Sequence, residues 1–93
     1  MVRVQASRQG AGWVCEVRVE HRGQITNHTV AVSAAELARW GGVADRGGVE
    51  DLVARSFAFL LEREAPSSIL RSFDLSVIER YFPAYDQVIR RQT

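Results

Sequence analysis

Through the first third of the chain, hydrophobic and polar positions alternate; beyond it they recur at helical spacing. Val2-Arg3-Val4-Gln5-Ala6 alternates, and so does Trp13-Val14-Cys15-Glu16-Val17-Arg18-Val19-Glu20. These runs predict strands over about 2–7 and 12–20. A third strand over 24–32 follows from the β-branched content of Ile25 to Val32. In the second run Trp13, Cys15, Val17 and Val19 share one face, while Glu16, Arg18 and Glu20 share the other. The sheet therefore has one wet side.

Face parity predicts the register of the second and third strands. His28, Val30 and Val32 must join the face of Trp13, Cys15 and Val17, because a one-residue slip would turn them into water. A two- or four-residue loop centred on Arg22-Gly23 satisfies this, with Gly23 able to take positive φ. It pairs Val19 with Thr26, Val17 with His28, Cys15 with Val30 and Trp13 with Val32.

From Ser33 the period changes. Ser33-Ala34-Ala35-Glu36 is a capping box, and it predicts a helix over about 34–40 that Gly41-Gly42 stops. Four glycines between Gly41 and Gly48 predict a loop. Val49, Leu52, Val53, Phe57, Leu60 and Leu61 then recur at helical spacing, which predicts the longest helix over about 49–64. Glu50 and Asp51 fall in its expected first turn, where the helix dipole favours acids. Phe59 makes its far end apolar on more than one side, so that end belongs in the middle of the domain or under an oligomer contact. Pro66-Ser67 closes this helix, with a single turn expected at Ser68-Ile69-Leu70. Asp74 is the expected cap of a helix over about 75–81. Pro83 suits the first position of a last helix over about 83–91, with Arg90 and Arg91 at its C-terminus.

Strands first and helices after is the α+β order. The expected architecture is a three-stranded antiparallel meander followed by three to four helices packed on one face. Its 93 residues make one domain, 1–93, with room for one core and hardly for a deep pocket.

Composition narrows the function classes. No apolar run nears the roughly 18 residues that span a bilayer, and Arg3 and Arg8 precede no apolar stretch of the signal-peptide kind. A lone Cys15 forms no internal disulfide, so no oxidising compartment is required and a cytoplasmic location is expected. All twelve basic residues are Arg and they balance eleven acids, for a net charge of +1. Uniform Arg with no Lys fits a G·C-rich coding bias. The balance is also against a binder that works mainly through phosphate contacts, so nucleic acid is not the favoured partner.

The residues that could carry chemistry form no catalytic constellation. The predicted register sets Cys15 and His28 diagonally across two strands, where imidazole could activate a thiol. No third group orients the histidine, however, and both residues read as core, Cys15 as a small hydrophobe and His28 as a satisfied core histidine. His21 and His28 lack metal-ligand spacing, and no phosphate loop is present. The acids Glu62, Glu64, Asp74, Glu79 and Asp86 read as solvated faces and caps. No catalytic residue, metal ligand or cofactor is expected. Trp13 and Trp40 should pack where sheet meets helix.

The C-terminal quarter is the exception. Phe73, Tyr81, Phe82 and Tyr85 crowd it beside Arg71 and Arg80. Aromatic residues and Arg dominate the energetic centres of protein interfaces, so these six residues form a candidate partner-binding surface. A small domain also fills its core with large side chains, and aromatics can stack single-stranded bases.

Two resemblances bear on this. Glu50 to Glu64, followed by Ser68-Ile69-Leu70, Phe73 to Ile78 and the ending Arg80-Tyr81-Phe82-Pro83-Ala84-Tyr85, resembles an uncharacterised family of small bacterial proteins. That resemblance brings no function with it. Three strands running into a helix are also similar to HicB-like antitoxins, although their Pro-Asp-Leu-Pro-Gly-Cys type of motif is absent here. This second resemblance implies a toxin partner and sheet-mediated dimers. An open three-stranded sheet leaves an unpaired edge that invites dimerisation. The expectation is a non-enzymatic, homodimeric module that binds another protein. A nucleic-acid-binding regulator or antitoxin-like protein is the alternative.

Overall fold

The computed structural model describes residues 1–90. Three strands, β1 (Val2–Gln9), β2 (Gly12–His21) and β3 (Gln24–Val32), form an antiparallel meander. The register of β2 against β3 is the predicted one, with Val17 opposite His28 and Trp13 opposite Val32. His21 pairs with Gln24, so the loop has two residues, Arg22 at φ 51° and Gly23 at φ 81°. Two successive positive φ angles are the hairpin geometry that matches strand twist. On β1 the even residues Val2, Val4 and Ala6 join the same face as Cys15, Val17 and Val19. The opposite face, with Arg3, Gln5, Glu16, Arg18 and Asn27, is exposed.

Helix α1 (Ala34–Trp40) carries the predicted capping box and ends on Gly41 at φ 83°. Helix α2 (Arg46–Leu61) begins three residues before the expected start. Asp45 caps it by accepting the Gly48 N–H at 2.7 Å, so Gly47 and Gly48 form its first turn and not the end of a loop. Gly48 is required there, since a Cβ would stand 2.1 Å from the Val43 carbonyl oxygen. Glu50 and Asp51 consequently fall beyond the first turn. Glu50 accepts the Ala6 N–H of β1 at 2.9 Å, and Asp51 pairs with Arg55 at 2.9 Å.

The remainder departs further from expectation. A 3-10 turn, Pro66–Ser68, sits two residues before the expected turn. It leads into a fourth strand, β4 (Ser72–Asp74), which runs parallel to β3 and gives the order β1-β2-β3-β4. Asp74 therefore ends a strand and caps no helix. Helix α3 is only Val77–Tyr81, and the preceding Ser76 gives its N–H to Glu36 Oε2 at 2.8 Å. One carboxylate thus completes the cap of α1 and holds the chain ahead of α3. Helix α4 is Tyr85–Arg90, starting two residues after Pro83. Arg91 lies outside the described residues.

The core sits between the sheet and α2, closed by α1, α3 and α4. Trp40, Phe57, Phe59, Leu52, Leu75, Tyr85 and Ile89 are fully buried within it. Phe57 lies between the rings of His28 on β3 and Phe73 on β4, at centroid distances of 5.3 and 6.1 Å. Phe59 faces Tyr85 and Phe82. Aromatic side chains on two sides of α2 place its end in the middle of the domain, one of the two locations expected for it.

Candidate functional site

An apolar groove opens between the end of α2, the segment after the 3-10 turn, β4 and α3. It encloses about 390 Å³. Leu60 of α2 and Ile78 of α3 form its buried floor, while Leu70, Phe73, Val77 and Tyr81 line its walls. Leu70 is 49% exposed and Tyr81 67%, so two large apolar side chains face water beside one concavity. Position Leu70 is set by His28, whose Nδ1 lies 2.8 Å from the Leu70 carbonyl oxygen. A carbonyl only accepts, so Nδ1 carries the proton. Thr26 Oγ1 sits 2.8 Å from Nε2 and completes the histidine's partners.

Glu64 is the one charged side chain lining the groove. It makes no ion pair or hydrogen bond among the described residues, and burial pushes its carboxyl above the ordinary 4.5. Ser68 is the remaining polar residue of the inner wall.

The six sequence-predicted site residues separate in space. Phe73, Tyr81 and Phe82 line the groove. Phe73 and Phe82 are half-buried and rest on the rings of Phe57 and Phe59. Arg71 and Arg80 are exposed and form no ion pair among the described residues. Tyr85 is not part of this surface. It is wholly buried, with its hydroxyl 2.7 Å from Ser56 Oγ and its ring edge-on to Trp40 at 5.1 Å. Burial pushes the Tyr85 phenol well above its ordinary range. The core reading of this aromatic therefore holds, and the partner-surface expectation for it is corrected. Sequence reasoning missed Leu70, Ile69, Val77 and Glu64 as groove residues. Short turns and a five-residue helix carry no period long enough to show which side faces outward.

Elsewhere the buried side-chain polar atoms of the described residues have partners within the fold. Cys15 is buried and its thiol is pushed up to about 11 by burial, reinforced by the charges of Glu50 and Glu16. It is thus a thiol at neutral pH, and His28 has both ring nitrogens committed to other partners. Asp86, expected on a solvated face, accepts the Trp40 indole N–H at 2.8 Å and pairs with Arg39 and Arg90. The indole hydrogen bond, with those guanidinium groups, holds its carboxyl below the ordinary range. Arg39 also reaches Glu79 at 2.8 Å, tying α1 to α3. Trp13 is half-buried under the Arg8 guanidinium. Among the described residues no cluster could hold a metal ion, and no helix is long and apolar enough to cross a membrane.

The exposed sheet face carries Arg3 opposite Arg18, yet no aromatic side chain on which a base could stack. The β3 edge that the three-stranded reading left open is covered by β4 over Thr29, Val30 and Ala31, and the Ala6 N–H on the other edge is taken by Glu50. No protein-family model, curated protein or solved structure matches the chain.

Proposed function

We propose that this chain is a non-enzymatic interaction module that holds a segment of another protein in the groove formed by α2, β4 and α3. The observation that carries this reading is the exposure of Leu70 and Tyr81 beside one apolar concavity whose floor, Leu60, Ile69 and Ile78, is buried. Exposed apolar side chains around a concavity mark surfaces that a partner covers. Phe73 and Phe82 support the reading, because ring contacts to α2 hold them in place and little side-chain freedom is lost on binding.

A photo-crosslinking residue at position 81 tests this, with position 5 on the exposed sheet face as control. Crosslinking from 81 alone, abolished by Leu70→Asp, is the expected result. Equal capture from both positions would sink the groove as the binding surface. Point substitutions suit this question better than truncation, since removal from Ser72 onward would take Leu75, Ile78, Tyr85 and Ile89 from the core.

A further inference from the structure

We infer that the groove is the side-chain pocket of a strand-addition site: an extended partner segment pairs with the free edge of β4, places alternate apolar side chains in the groove, and sets a Lys or Arg against Glu64. This inference rests on the reading of the groove as a protein-binding surface, and names the form of its occupant.

Three observations point the same way. The first is the pattern of the parallel ladder. The Thr29 N–H bonds the Arg71 carbonyl at 2.7 Å, and the Leu75 N–H bonds the Ala31 carbonyl at 3.0 Å. Odd-numbered residues of this stretch therefore spend their backbone groups on β3. Ser72 and Asp74 aim N–H and C=O away from it. Both residues are exposed, and these four groups have no partner among the described residues. Such a row is a template for another chain.

The second is register. Phe73 lies opposite Val30 on the inner face and lines the groove. A strand added about 4.8 Å beyond β4 would put every second side chain on that same face, above Leu70 and Tyr81. The third is charge. Glu64 is the one charged side chain of the lining and forms no ion pair among the described residues. A helix laid in the groove could use Glu64 and the apolar walls, but it would leave the Ser72 and Asp74 backbone unpaired.

The test is panning of random nine-residue displayed peptides on the full chain, followed by fluorescence polarisation with the enriched sequences. The expected consensus has apolar residues at i and i+2 with a Lys or Arg adjoining. Ser72→Pro removes one outward N–H and leaves every bond to β3 in place, as edge strands allow. It should weaken binding roughly five- to tenfold, the loss of one hydrogen bond. N-methylation of the central peptide amides should do the same against the unaltered protein, which covers the case where Ser72→Pro misfolds. Glu64→Gln should erase the preference for Lys or Arg.

Peptides with i, i+4 spacing that depend on Leu70 and Tyr81 but ignore Ser72→Pro and N-methylation would overturn strand addition and leave the groove reading standing. Binding indifferent to Leu70→Asp and Tyr81→Asp, or no enrichment at all, would overturn both.

Discussion

Deleting the Tyr85 hydroxyl tests the assignment of this aromatic to the core. Ser56 Oγ donates to the Leu52 carbonyl at 2.8 Å, so its one proton is spent and the Tyr85 O–H must donate to it across 2.7 Å. Tyr85→Phe removes a donor and strands no proton. The cost should be that of one net hydrogen bond, about 1 kcal/mol, or roughly 4–8 °C in Tm for a domain of this size. Ser56→Ala instead leaves the buried Tyr85 O–H without an acceptor. That desolvation penalty is about 1–3 kcal/mol, less about 0.5 kcal/mol returned by alanine's better helix propensity. The decisive comparison is Tyr85→Phe made in the Ser56→Ala background. There it removes an unsatisfied hydroxyl and should be neutral or stabilising. Urea unfolding followed by Trp fluorescence suits the measurement, because the Trp40 ring centroid lies 5.1 Å from that of Tyr85. An equal cost of about 1 kcal/mol in both backgrounds would mean that the two hydroxyls do not interact.

Other consequences are equally open to measurement. Gly47→Ala should stabilise by about 0.5–1 kcal/mol through helix propensity, since its new Cβ meets nothing closer than 3.6 Å. Gly48→Ala should destabilise despite the same propensity gain, because its Cβ would drive into the Val43 carbonyl; thermal melts of the pair separate the two. Glu50 and Asp86 have folded pKa values below the ordinary 4.5 and 3.8, the first through the Ala6 N–H and the second through the Trp40 indole. Their contribution is present above those ordinary values and is lost as pH falls through the lower folded ones, with Glu64 acting in the opposite sense. Urea midpoints between pH 6 and 3 should therefore fall less steeply for Glu50→Gln than for the parent chain. Cys15 should react with a thiol reagent at pH 8 only at the rate of unfolding; labelling as fast as in denaturant would contradict its burial.

The meander was legible in the sequence because an alternating pattern has a period of two, and face parity together with a turn centred on Arg22-Gly23 leaves one register that puts Cys15, Val17, His28 and Val30 on one face. The capping box at Ser33 and Glu36 and the apolar stripe of α2 were legible for a similar reason, as each is a local pattern that local physics enforces. Beyond Leu61 the elements are three to six residues long, and no period can be read from so few positions. There the tertiary structure decided. Ser72–Asp74 is a strand because β3 offers an edge and Phe57 packs under Phe73, and neither condition is visible locally. Asp45 displaced Glu50 from the start of α2, which freed that carboxylate to reach β1, forty-four residues away. The C-terminal aromatics show the division most clearly. Their composition announced a dense apolar cluster, but only packing against α2 could send Tyr85 inward to Ser56 and leave Tyr81 in water beside Leu70. Burial of a given side chain depends on what lies opposite it, and for these residues what lies opposite comes from a distant part of the chain.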